Sequence, residues 1–151
     1  MSPAVSGRPV LRLVNVSKRF PAPDGSALEV LSGISLEVAA GASLAITGPS
    51  GSGKSTRLNL MGALDTPSAG AVFLGEHELA SLNEAERSRL RARHVGFVFQ
   101  QHHLLPQCTA FENALVPFLA WAKRVEPAAV ERATRLFERV GLAARRDFMP
   151  A

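Results

Sequence analysis

Gly48-Pro49-Ser50-Gly51-Ser52-Gly53-Lys54-Ser55-Thr56 is the stretch on which the reading of this 151-residue chain turns. It fits the pattern Gly-x-x-x-x-Gly-Lys-Ser/Thr, and its flanks are the ones that pattern requires. Ahead of it lies Ser43-Leu44-Ala45-Ile46-Thr47, a short apolar run that reads as a buried strand. Behind it, Thr56 to Leu64 carries Leu58, Met61 and Leu64 at helical spacing, so a helix with one apolar face is expected.

The residue types match an anion cradle. Gly48, Gly51 and Gly53 lack a Cβ, which lets the loop wrap tightly and turn successive N–H groups inward. A helix opening near Lys54 adds unpaired N–H groups and the positive end of its dipole. Lys54 brings a mobile point charge for outer phosphates, and the Ser55 hydroxyl is a ligand type suited to Mg²⁺. A plain glycine–serine turn would explain the glycines but not the lysine, the hydroxyl and the strand–helix flanks together. The stretch reads as a loop that binds a nucleoside triphosphate.

Composition sets the outer bounds. Hydrophobic residues make up 46% of the chain, enough for a core, and the length corresponds to one domain or part of one. The formal net charge is only +4. Arg87, Arg89, Arg91 and Arg93 are spread around an expected helix without forming a stripe, so no nucleic-acid partner is expected. Cys108 stands alone, which removes a disulfide framework and a cysteine zinc site and favours a reducing compartment. No signal peptide or apolar run of about 18 residues is visible, so any membrane role is expected to work through a partner.

Outside the loop, strands are expected at Val10–Val16, Leu28–Leu31, Ile34–Val38 and Ala71–Leu74, an antiparallel set beside the loop core. Asn83 with Glu86 forms a capping box for a charged helix to about Arg93, and Val95–Phe99 reads as a second buried strand. Thr109 with Glu112 forms another box, opening a helix through Trp121 that Pro117 is expected to kink. Pro127 and Gly141 bracket a last helix, Ala128 to Val140. Adjacent His102 and His103 point opposite ways on an extended chain and lack further ligands, so they are not expected to form a metal site.

With these residues in view, the chain resembles the nucleotide-binding subunit of an ABC transporter over nearly its whole length. The resemblance rests on Gly48–Ser55, on Gly96-Phe97-Val98-Phe99-Gln100, and on the upstream aromatic Phe20. Leu64-Asp65-Thr66-Pro67-Ser68-Ala69-Gly70 and the run from Phe99 through Pro106 into Thr109-Ala110-Phe111-Glu112-Asn113 look most like lipoprotein-releasing (LolD-like) ATPases and their macrolide-exporter relatives.

The resemblance implies an α/β fold. It would be a P-loop NTPase core with an antiparallel β subdomain and the start of a helical subdomain, about 10–99 and 100–151 respectively. It implies ATP and Mg²⁺ as cofactors. Phe20 would stack on adenine, Gly48 to Thr56 would hold the phosphates, and Ser55 with Gln100 would ligate Mg²⁺. Membrane-spanning subunits would dock near Gln101 to Pro106, and the full-length protein would be a homodimer on the cytoplasmic face of the inner membrane. Arg57 departs from the family's usual apolar residue, and its guanidinium must reach solvent or a partner.

The family's Gly-Gly-Gln signature, its apolar strand ending in Asp-Glu, and its switch histidine are not found in these 151 residues. No catalytic residue is therefore assigned: the general-base glutamate and the switch histidine are expected beyond Ala151. The parent protein would be an ATPase. The polypeptide as given is expected to bind Mg-nucleotide without hydrolysing it appreciably, because phosphoryl transfer also needs a positioned water. Its parallel sheet is expected to lack flanking strands and to leave an apolar edge open. The alternative reading is a truncated, non-catalytic module that binds nucleotide or docks on a membrane partner.

Overall fold

The structure is a computed structural model that describes residues 9–100, 103–119 and 124–150. It divides into two compact units, one ending at Phe97 and one beginning at Val98. In the first, strand β1 (Pro9–Pro21) and strand β2 (Ala27–Ala39) form a long antiparallel hairpin. Strand β3 (Ala69–Leu74) pairs with the other edge of β1, and the two-residue β4 (His77–Glu78) pairs with β3, giving the order β2-β1-β3-β4. The expected antiparallel sheet is present.

Register shifts shape this sheet, and the one at Asn15 organises its core face. Asn15 has φ of 49°, and the β1–β2 register shifts between Leu13 and Val16. Without the shift, residues three apart would face opposite sides; with it, Leu13 and Val16 are both buried. Opposite the bulge, Gly33 at φ of 59° donates its N–H to Ser17 Oγ at 2.9 Å, and Asn15 N–H donates to Ser35 Oγ at 2.9 Å. The two expected strands Leu28–Leu31 and Ile34–Val38 are therefore one strand, continuous through Ser32-Gly33. The alternation of β2 breaks there because the register shifts a second time, between Val16 and Lys18, where β2 advances three residues from Ile34 to Leu31 against two of β1.

Helix α1 (Lys54–Met61) lies against this sheet, and Leu60, Ala63, Leu13, Val16, Leu31, Val72, Leu79 and Leu90 form the core. The buried face is not the expected one. Leu58 and Leu64 are exposed, while Leu60 is fully buried. Gly62 ends the helix, where a Cβ would meet the Phe97 ring at 2.4 Å. Helix α2 (Glu84–His94) opens on the expected capping box: Glu86 N–H donates to Asn83 Oδ1 at 3.0 Å, and Asn83 N–H to Glu86 Oε2 at 2.9 Å. Hydrogen bonding from Arg87 holds the Glu84 carboxyl below the usual carboxylate range. Arg91 Nη1 reaches back to the Ala63 carbonyl at 2.7 Å, tying α2 to the turn after α1.

Two expected strands are not formed. Ser43–Thr47 and Val95–Phe99 enter no strand ladder among the described residues, and Leu44 and Val98 are exposed. Apolar character favours burial, but a strand exists only with a neighbour to pair with, and the four-stranded sheet offers them none.

The second unit is helical. Helix α3 (Ala110–Leu119) opens on the Thr109–Glu112 box and contains Pro117; the expected end at Trp121 lies outside the described residues. Helix α4 (Pro127–Arg139) begins on Pro127 and is followed by Gly141 at φ of 73°, as expected. Phe111 and Phe137 meet edge-on with centroids 5.4 Å apart. The Ala110 and Phe111 N–H groups donate to the carbonyls of Phe148 and Arg146, and the Arg146 guanidinium lies 4.0 Å over the Phe111 ring.

Gly70 tests the bulge. It has φ of 79°, and a Cβ there would lie 2.2 Å from the Asn15 carbonyl oxygen. Gly70→Ala is expected to cost roughly 2–5 kcal/mol, combining left-handed strain with a backbone clash. Gly75→Ala, at φ of 58° with nothing near its Cβ position, is expected to cost about 1–2 kcal/mol. Urea unfolding midpoints of the two variants separate the contributions; equal shifts would mean that the bulge is not crowded.

Candidate functional site

The loop from Gly48 to Gly53 takes the conformation its glycines allow. Gly48, Gly51 and Gly53 have φ of 145°, 79° and 78°, a region costly for residues with a Cβ. Ser52 N–H donates to the Pro49 carbonyl at 3.3 Å, closing the turn. Gly48 and Gly53 are also packed. A Cβ at Gly48 would meet Ser52 Oγ at 2.9 Å, and one at Gly53 would meet Leu31 Cδ2 at 2.8 Å and the Val30 carbonyl at 3.0 Å.

Helix α1 starts directly after Gly53 with no side-chain cap and no acidic residue in its first turn. Most helices place a Ser, Thr, Asp or Asn side chain on these first N–H groups. Here they are left to whatever anion enters the loop. Lys54 folds its ammonium back onto the loop, donating to the Gly48 carbonyl at 3.0 Å and the Pro49 carbonyl at 2.6 Å. The Ser55 side chain is in the same first turn and exposed, and Thr56 is half-buried. The arrangement gathers backbone donors, a cation and a hydroxyl at one helix end. It suits a polyphosphate carrying a divalent ion.

Phe20 lies near the end of β1, paired with Leu28, and is 37% exposed. It is not a core residue of the sheet, and a ring held partly in solvent is available to stack. Lys18 approaches it, with Nζ 5.0 Å from the ring centroid. Arg57 is half-buried and its Nε has no hydrogen-bond partner among the described residues, so the departure noted in the sequence carries a desolvation cost here.

Gln100 is exposed and belongs to the second unit, so the first unit holds Phe20 and Gly48–Thr56 without it. Gln101 and His102 of the expected docking stretch lie outside the described residues. His103, at φ of 48°, meets Phe99 edge-on at 4.9 Å. Leu104 and Leu105 are exposed. One organising residue escaped the sequence reading. Asn113 donates its amide to the carbonyls of Leu105, Cys108 and Thr109, each at 3.0 Å, and accepts from Leu105 N–H at 2.7 Å. Its signal was a short amide in the first turns of α3, facing the preceding loop.

Ser52 gives a direct check of the resting loop. Its Oγ is buried without a partner among the described residues. Leaving such a group unsatisfied costs about 1–3 kcal/mol, so Ser52→Ala is expected to leave nucleotide-free stability unchanged or raise it by about 1 kcal/mol. A urea midpoint lowered by Ser52→Ala without nucleotide would show that the hydroxyl is satisfied in the resting loop.

Comparison with known proteins shows the family. Residues 31–150 match the family described as ABC transporter. The lipoprotein-releasing system ATP-binding protein LolD of Pseudomonas fluorescens is 54% identical over 122 residues, covering 81% of this chain and 53% of that protein. The LolD of Pseudomonas syringae is 48% identical, covering 97% of this chain and 64% of its own length. The macrolide export ATP-binding/permease protein MacB of Burkholderia thailandensis is 43% identical over 95% of this chain and 22% of its own length. The chain thus spans about half to two thirds of the LolD proteins it matches. Among solved structures, the ATP-binding cassette MJ0796, a dimer in a post-hydrolysis state bound to ADP and Pi, superposes with a TM-score of 0.82 at 31% identity. That match covers 93% of this chain and 61% of the other.

Proposed function

The chain belongs to the ABC transporter family, and from that premise we propose that it is the ATP-binding part of an export or lipoprotein-release machine. The observation that carries this reading is the loop itself: three left-handed glycines, an uncapped α1 free of first-turn acids, and Lys54 resting on the Gly48 and Pro49 carbonyls.

On this reading the N–H groups of Gly48, Pro49's successors Ser50 to Gly53, and Lys54 surround the phosphates. The Lys54 ammonium leaves its carbonyls for the outer phosphates. Phe20 offers its exposed ring to adenine, supplying dispersion with little base selectivity. Ser55 is the hydroxyl ligand for Mg²⁺, with Gln100 as a second, neutral ligand and Thr56 supporting the helix start. Mg²⁺, when bound, neutralises phosphate charge and orients the outer phosphates. The exposed Leu104-Leu105-Pro106 run, held by Asn113, fits a docking place for membrane-spanning subunits, with Gln101 to Pro106 as its extent. Pairing of two copies and a peripheral place on the cytoplasmic face of the inner membrane complete the proposal. No helix among the described residues is long and apolar enough to cross a membrane, consistent with a partner supplying that part.

Lys54→Ala tests it. A hydrogen-bonded charge contributes about 1.5–3 kcal/mol, so MgATP affinity is expected to fall about 10- to 100-fold by calorimetry. Ser55→Ala is expected to weaken chiefly the Mg²⁺-dependent part. An ATP affinity unmoved by Lys54→Ala would sink the phosphate-loop reading.

A further inference from the structure

Phe20 is not an isolated platform, because its neighbourhood is built. Lys18 Nζ donates to Asp65 Oδ1 at 2.6 Å and to the Thr66 carbonyl at 2.8 Å, and lies 5.0 Å from the Phe20 ring centroid. The Lys18 side chain is only 12% exposed. An ammonium has three donor hydrogens and no acceptor. Two are satisfied by oxygen, and the ring supplies the remaining neighbour. Asp65 Oδ1 also accepts from Thr66 N–H at 2.7 Å, which fixes the carboxylate.

This cluster sits where the two ends of the nucleotide site meet through the fold. Across the β1–β2 ladder Lys18 pairs with Leu31, the residue whose Cδ2 closes over Gly53 of the loop. From the other side, the N–H groups of Leu64 and Asp65 both reach the Asn59 carbonyl in α1, at 2.8 and 3.3 Å. Lys18 is therefore tied to the loop through β2 and to the loop's helix through Asp65. The turn would hold without it, because Ser68 N–H already donates to the Ser17 carbonyl at 2.9 Å and Arg19 N–H to Ser68 Oγ at 3.0 Å. The lysine adds a cation over an aromatic ring that is itself partly exposed to solvent.

We propose that Lys18 and Asp65 are a positioning pair for the base end of the nucleotide site, holding the Phe20 ring and coupling it to the phosphate loop. This rests on the nucleotide-binding reading above. The cation polarises the ring toward itself, leaving the opposite face better matched to an electron-rich purine. Asp65 holds the ammonium in place; without it a mostly buried cation loses its counter-charge.

The test is a comparison of MgATP with magnesium inorganic triphosphate, which has no base, titrated calorimetrically into the whole chain. Lys18→Met is expected to weaken ATP about 5- to 20-fold and to change triphosphate affinity less than about twofold. Repeated in a Phe20→Ala background, the same substitution is expected to have almost no effect on ATP, because the lysine acts through the ring. Asp65→Asn, which keeps the carboxylate's shape, is expected to follow the same pattern and serves if Lys18→Met does not fold. Equal weakening of ATP and triphosphate, or an undiminished effect in the Phe20→Ala background, would overturn the pair's positioning role. A parent chain that binds neither titrant would overturn the nucleotide reading itself, and the pair's role with it.

Discussion

In the site, Gly53 lies against strand β2, where the Val30 carbonyl and Leu31 Cδ2 leave no room for a Cβ. Much else depends on that contact. It pins the last residue of the loop to the sheet, so α1 starts at a fixed point and direction. It places Leu31 in the core beside Leu13 and Val16 while its edge touches the loop. An anion site made of backbone N–H groups has no side chains to adjust, so its accuracy comes from the rigidity of whatever the backbone leans on. The sheet supplies that support here.

The antiparallel sheet in turn owes its shape to Asn15, Gly33 and Gly70, which crowd one bulge. This explains why the sequence was legible in some places and not in others. Capping boxes at Asn83 and Thr109 and the Pro127–Gly141 bracket were readable because each is decided within four residues or by one dihedral. The turn from Gly48 to Gly53 and the helix start after it were readable for the same reason: the glycines act locally. The unity of β2 was not, because a bulge interrupts the period that identifies a strand. Nor was the buried face of α1, where Leu60 was buried while Leu58 and Leu64 stayed exposed. Helical spacing shows that a face is apolar, but not which neighbours are there to cover it.

Ser43–Thr47 and Val95–Phe99 make the same point more sharply. Both are apolar enough to read as buried strands, and both remain outside the sheet. Burial of a parallel strand is a property of its two neighbours as much as of its own residues. The loop nonetheless keeps its form, since its geometry depends on β2 and α1 rather than on the segment that leads into it. Local chemistry and long-range pairing are separable here, and the anion-binding part belongs to the local side.

Lys54 shows what the resting loop holds in reserve. Its ammonium satisfies itself on the Gly48 and Pro49 carbonyls, so the cation is not left bare when no anion is present. The backbone N–H groups at the start of α1 have no equivalent side-chain partner. An incoming phosphate therefore meets donors already aimed and unoccupied, and a lysine that must exchange two neutral acceptors for a charged one. That exchange is favourable because the ammonium trades two carbonyl dipoles for the Coulombic attraction of an ionised phosphate. On the proposed reading, the backbone donors would meet the anion and the lysine would follow as a second, reversible clasp.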